Sequence, residues 1–138
     1  NPKTQKRSAT KESGFEYWDS ELEFSIALQL QIHRFRFERQ KKVLVLPEIL
    51  GFPKREWKVD FYLPEIHKYL EVKGSWINNA SMKGELREFR LLLHSLAFNS
   101  PTTFSNVLIV AQEEIRGIET ISRNELIPTL EKFRLCLG

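Results

Sequence analysis

The sequence predicts an α/β domain built on a mixed β-sheet flanked by helices. Three observations carry that expectation. Residues 81–98 read as an amphipathic helix, with Met82, Leu86, Phe89, Leu93 and Leu96 on one stripe. Residues 57–63 and 69–73 are short apolar runs on either side of a turn at 64–68, and NVLIVA at 106–111 is an uninterrupted apolar run of strand length. The resulting order is helix, three strands, helix, strand, helix, written α-β-β-β-α-β for its core; such mixing of element types within one chain is the mark of an α/β domain.

The elements follow in order. NPKTQKRSATK holds Lys3, Lys6, Arg7 and Lys11 and no acid, so residues 1–14 are expected to form a flexible, phosphate-seeking tail. Residues 15–138 show neither an internal repeat nor a linker and are expected to form one domain. WDSELEFSIALQLQI predicts a helix capped by Asp19 or Ser20, with Leu22, Ile26 and Leu30 on one face. Residues 33–46 read as extended, alternating at Phe35 and Phe37 and then continuously apolar from Val43, with a bulge expected near Arg39-Gln40. Residues 47–53 connect. Ser122-x-x-Glu125 predicts a capping box for a last helix, with Pro128 near its first turn.

Composition narrows the class. Of the 138 residues 41% are hydrophobic and 12% aromatic, which points to a packed core rather than disorder. No apolar run approaches the ~18 residues of a membrane span, and no secretory leader pattern is present, so no membrane partner is expected. Cys136 is the single cysteine, leaving no disulfide partner within these residues. It fits a reducing, cytoplasmic setting and, in its apolar helical context, is expected to be a buried thiol. Charge is asymmetric: residues 1–58 hold 12 Lys/Arg against 8 Asp/Glu, residues 59–138 hold 9 against 10. A basic first half suits a polyanionic partner.

The stretch VDFYLPEIHKYLEVKG at 59–74 breaks the apolar pattern, because Asp60, Glu71 and Lys73 stand inside otherwise core-like strands. Period two puts Glu71 and Lys73 on one face and Leu70 and Val72 on the other. Asp60 joins them only if it pairs opposite Glu71 or Lys73; opposite Val72 it would face away. Two carboxylates ~4 Å apart repel by roughly 4 kcal/mol at an effective dielectric near 20. Either one is protonated or a cation lies between them, and hard oxygen ligands suit Mg²⁺, with Mn²⁺ as a substitute. A second Glu-x-Lys triplet, Glu56-Trp57-Lys58, lacks this context. An Asp60–Lys73 ion pair on a half-exposed hairpin is the purely structural alternative.

VDFYLP…KYLEVKG resembles the core of the PD-(D/E)XK, or restriction-endonuclease-like, nuclease superfamily. There an Asp opens one strand and Glu-x-Lys lies on the next, often followed by Gly, as Gly74 follows here. Val59 stands where that family commonly has Pro. WDSELEFS resembles the Ser-x-x-Glu form of the family's first helix and nominates Glu23 above Glu21. RFERQKKVLVLP resembles the first strand of the subgroup of small phage resolvases and transposon-end nucleases. The likeness spans roughly residues 15–112 and implies a single nuclease domain over 15–138. It implies that Asp60, Glu71 and the Val72 carbonyl bind Mg²⁺, that Lys73 positions water and phosphate, and that Glu23 supports a second metal or a metal-bound water. The implied reaction is DNA phosphodiester hydrolysis to 5′-phosphate and 3′-hydroxyl.

The expected substrate grip is basic. Lys83, Arg87, Arg90 and His94 recur at helical spacing as one stripe; Arg34, Arg36, Arg39, Lys41 and Lys42 make a second cluster, and Lys54, Arg55 and Lys58 a third. His33, His67 and His94 lack metal-ligand spacing and are expected on the surface or in turns. Trp57 and Trp76 are expected in the core rather than as base wedges. The sequence thus predicts a Mg²⁺-dependent endonuclease acting on double-stranded or branched DNA as a homo-oligomer, nucleoid-associated or encoded by a phage or mobile element. Homing, restriction, branch resolution and transposition stay open as roles. The alternatives are a non-catalytic nucleic-acid-binding module and a ribonuclease using the same site.

Overall fold

The structure, a computed structural model, describes residues 7–8, 17–18, 21–46 and 53–137. Most of the basic tail, the Asp19 and Ser20 caps and the connection at 47–52 lie outside the described residues. β1 (Arg7–Ser8), in the tail, pairs antiparallel with β2 (Tyr17–Trp18), at the start of the domain. The remaining elements are α1 (Glu21–Ile32), β3 (Glu38–Leu46), β4 (Arg55–Leu63), β5 (Lys68–Lys73), α2 (Lys83–Asn99), α3 (Pro101–Ser105), β6 (Val107–Ala111) and α4 (Arg123–Leu137). The α/β class and the predicted order hold, with α3 as an addition: Pro101 seats itself at the first position of a new short helix, where its missing N–H costs nothing.

Strands β3, β4, β5 and β6 lie side by side in that order, antiparallel except for the parallel β5–β6 pair. The mixed sheet is covered on both faces. One cluster joins Ile26, Ala27 and Leu30 of α1 and Leu126 and Leu130 of α4 to Phe61, Leu63, Leu70 and Val110. The other joins Phe89 and Leu96 of α2 to Trp57, Val59, Ile109 and Ala111. Covering on both faces explains why β6 reads as an unbroken apolar run. On β4 the same alternating side serves both clusters: Trp57 and Val59 belong to one, Phe61 and Leu63 to the other. The strand changes cores at Asp60.

Local chemistry sets the ends of the helices. At the end of α1, Arg34 takes φ 62°, Phe35 N–H bonds to Leu30 O at 2.8 Å and Arg34 N–H to Gln31 O at 3.1 Å. This is a Schellman ending with arginine in the left-handed position, and Phe35 and Leu30 supply its apolar contact. The predicted capping box forms: Ser122 N–H donates to Glu125 Oε1 at 2.8 Å and Glu125 N–H to Ser122 Oγ at 3.2 Å. Pro128 lies inside α4, near its start. In β3 the register slips between Lys42 and Leu44, a little beyond the expected bulge, while Gln40 itself takes φ 55° without a slip.

Two burial expectations are corrected. Cys136 is exposed, on a stretch of the last turn of α4 that leaves Leu135 and Leu137 exposed with it. Trp57 is core as predicted, edge-to-face with Phe89 at 6.0 Å, but Trp76 is exposed in the turn after β5. His33, His67 and His94 are exposed, as expected. Among the described residues no helix is long and apolar enough to cross a membrane.

Candidate active site

The hairpin β4–β5 pairs Phe61 with Leu70, Tyr62 with Tyr69 and Leu63 with Lys68. Extended by one step, this register sets Asp60 opposite Glu71, the odd alignment that a shared face requires. The ladder stops there. Tyr69 N–H points to β6, where it bonds Asn106 O, so Val72 N–H points the other way, toward β4. A continued ladder would give Val72 a main-chain acceptor on Val59. Instead Asp60 Oδ2 accepts the Val72 N–H at 2.7 Å. The side chain replaces the missing backbone acceptor where the strands part, and by strand geometry the Val72 carbonyl faces the same gap as its N–H.

Glu71 and Lys73 lie on the opposite face of β5 from Val72, in register with Ile109 and Ala111 of β6. Glu71 is buried, and its Oε2 accepts from Lys73 Nζ at 3.1 Å. The lysine head lies 4.5 Å from the centre of the Phe89 ring and 5.9 Å from that of Trp76, so two aromatic faces shape its pocket. The ion pair is therefore Lys73–Glu71 rather than the Asp60–Lys73 pair of the structural alternative. Glu71 Oε1 is buried without a hydrogen-bond partner.

Electrostatics follow from that crowding. Burial, and after it the charge of Glu71, push the Asp60 carboxyl well above the usual carboxylate range; the Val72 N–H and Lys73 oppose the rise. Burial also raises Glu71, against the pull of Lys73 and smaller ones from the Asp60 N–H and the Trp57 indole. Two facing carboxyls that resist ionising together, one with an unsatisfied oxygen, fit a hard divalent cation. Asp60, Glu71 and the Val72 carbonyl are the groups that would hold it, with water completing a sphere of oxygens. Among the described residues no group of three or more His, Cys, Asp or Glu side chains gathers as a metal site.

Glu23 therefore does not complete a carboxylate triad with Asp60 and Glu71. It is buried, and its Oε1 accepts from Arg39 Nη2 at 3.0 Å. Arg39 pairs across the ladder with Phe61, so this bond ties the first turn of α1 to β3 next to Asp60. The reason is packing: α1 buries its Ile26 and Leu30 face on the first cluster, whereas Glu71 and Lys73 stand on the face of the second. Arg39 was legible only as one cation of a basic cluster; nothing in the sequence marks it as the partner of Glu23.

The predicted basic residues divide. Lys54, Lys58, Lys83 and Arg87 are exposed. Lys41 and Lys42 are exposed too, with Glu38 at 3.5 Å and Glu56 at 3.2 Å. Arg55 and Arg90 are committed to the fold: Arg55 binds Glu88 of α2, with Nη1–Oε2 at 2.7 Å, and Arg90 donates to the Arg116 carbonyl. The α2 stripe is thus shortened to Lys83 and Arg87, with exposed His94 at its far end. Compared with family models, with curated proteins and with solved structures, the chain finds no match.

Proposed function

We propose that this protein is a Mg²⁺-dependent DNA endonuclease of the PD-(D/E)XK type. The observation that carries the reading is the broken ladder: β4 leaves β5 at Asp60, so that Asp60 and Glu71 crowd one gap, with Lys73 on Glu71 and Glu71 Oε1 unsatisfied. A divalent cation held there would act as the Lewis acid on a scissile phosphate and lower the pKa of a bound water. The chain supplies the rest. Lys73, fixed by Glu71 and shaped by Phe89, holds the phosphate and orients water for in-line attack. Asp60 keeps the two strand ends at a set separation through the Val72 N–H. Glu23, through Arg39, positions β3 beside Asp60 rather than touching the reacting atoms. The exposed lysines of β3 and β4 and Lys83 and Arg87 of α2 grip the DNA backbone. One site cuts one strand, so double-strand cleavage needs two copies, consistent with a homo-oligomer.

The test is supercoiled plasmid with Mg²⁺ or with chelator, for the wild-type chain, Lys73→Ala and Asp60→Asn. The expected result is Mg²⁺-dependent nicking or linearisation, reduced at least about 100-fold in either variant, each checked for an intact fold by circular dichroism. Cleavage that survives both variants, or that ignores the chelator, overturns the assignment. Absence of cleavage together with equal, salt-sensitive binding by all three proteins favours the non-catalytic binding module.

A further inference from the structure

A cleft of about 720 Å³ opens at the carboxyl ends of β5 and β6, between them and the first turns of α1 and α4. It adjoins the carboxylate site, since Gly74 in its wall follows Lys73 directly, and the ring of Trp76, also in the wall, lies 5.9 Å from Lys73 Nζ. Its size is that of a small-molecule site, roughly 300–1,000 Å³. Hydrolysis at Asp60, Glu71 and Lys73 makes no use of it.

The cleft has a built aromatic wall. Trp76 keeps 38% of its surface exposed, although large apolar rings are normally covered. Gly74 leaves room for its ring. Its backbone angles are ordinary, φ −76° and ψ 170°, yet a Cβ at this position would lie 2.7 Å from Trp76 Cδ1 and 2.9 Å from Nε1. The glycine serves close approach, letting the indole lie across the strand end. At the rim, Gln112 Oε1 accepts the Ser75 N–H at 3.3 Å, which leaves its NH₂ group as a donor. Asn124 is exposed and adds an amide with both donor and acceptor, and Arg123, bonded to Ser25 Oγ at 3.1 Å, adds a fixed cation.

A flat face, two amides that read hydrogen-bonding edges and a guanidinium for a phosphate are together the chemistry of a nucleobase. We infer that this cleft receives one unpaired or extruded base of the DNA strand whose phosphate lies at Lys73. The inference rests on the nuclease reading for the identity of the strand, and it narrows the substrate to duplexes with an unpaired base beside the cut. Trp76 stacks on the base, Gln112 and Asn124 bond its edge, and Arg123 neutralises the flanking phosphate.

The experiment is fluorescence anisotropy in chelator at one fixed salt concentration, with two labelled duplexes that differ by a single unpaired base. Wild-type protein should bind the duplex with the unpaired base about ten-fold more tightly, the scale of one aromatic stack. Trp76→Ala should bring that duplex down to the affinity of the paired one, and Asn124→Ala should remove part of the difference. Both side chains are exposed, so the fold should tolerate their loss. Equal wild-type affinity for the two duplexes overturns the inference, as does a preference that survives Trp76→Ala. Because no metal is present, the result stands apart from catalysis. A preference without cleavage keeps the cleft and removes the nuclease; cleavage without a preference does the reverse.

Discussion

Asp60 stands where β4 leaves β5, and its carboxyl both caps the Val72 N–H and faces the charge of Glu71. The first role needs only an oxygen acceptor; the second makes ionisation costly. Its folded pKa is raised, first by burial and then by Glu71, so the folded state holds a proton that the unfolded chain releases. Below the ordinary carboxylate pKa of about 4 both states are protonated and no penalty exists. As pH rises through the folded pKa, stability falls and the penalty is complete. Asp60→Asn keeps the acceptor and removes the charge, so in chelator it should stabilise the protein at pH 8 by on the order of 1 kcal/mol. The gain should vanish near pH 4. Urea melts at the two pH values measure this, and destabilisation at pH 8 would show that the ionised carboxylate is well tolerated without metal. Arg34 offers a second test. A non-glycine residue at φ 62° costs about 1 kcal/mol, and Arg34→Gly should recover most of that in a thermal melt.

At the scale of elements, two joints hold the helices where the site needs them. The Ser122–Glu125 capping box starts α4 at the edge of the cleft, and its removal in Ser122→Ala should cost about 1 kcal/mol with an unchanged urea m-value. The far end of α4 is tied by Arg134, which donates to the carbonyls of His33 and Arg34 and sits over the Phe35 ring at 3.6 Å. That single guanidinium joins the last turn of α4 to the end of α1 and to Glu65 of the hairpin turn. The hairpin itself is stiffened by the Tyr62–Tyr69 cross-strand pair, centroids 4.7 Å apart, and by Phe61 against Phe37 at 5.1 Å.

For the molecule as a whole, the proposed DNA partner rests on charge. The exposed cations that remain after Arg55 and Arg90 are spent internally lie on the β3–β4 edge and the start of α2. If they hold DNA phosphates, the slope of log affinity against log salt should be about −0.9 per contact. Lys58→Ala and Arg87→Ala should each reduce that slope by about one, while Arg90→Ala should leave it unchanged and instead lower stability. Filter binding across a salt series measures the slope. An unchanged slope in Lys58→Ala and Arg87→Ala would move the DNA to another face.

The sequence by itself determined the element order, the buried strand β6 and the Ser122 cap, because period, apolar run length and capping chemistry act within a few residues. It also marked Asp60, Glu71 and Lys73, since charge inside an apolar strand is conspicuous without any structure. What it left open was register: one residue of slip would have turned Asp60 away, and pairing energy between β4 and β5 settled the alignment. The tertiary structure alone decided the rest. Glu23 meets Arg39 because α1 packs on the first cluster, Trp76 lies against the strand end because Gly74 leaves room for its ring, and Cys136 is exposed on the side of α4 turned from the core. Each depends on which surfaces meet across long stretches of chain, and no local pattern encodes that.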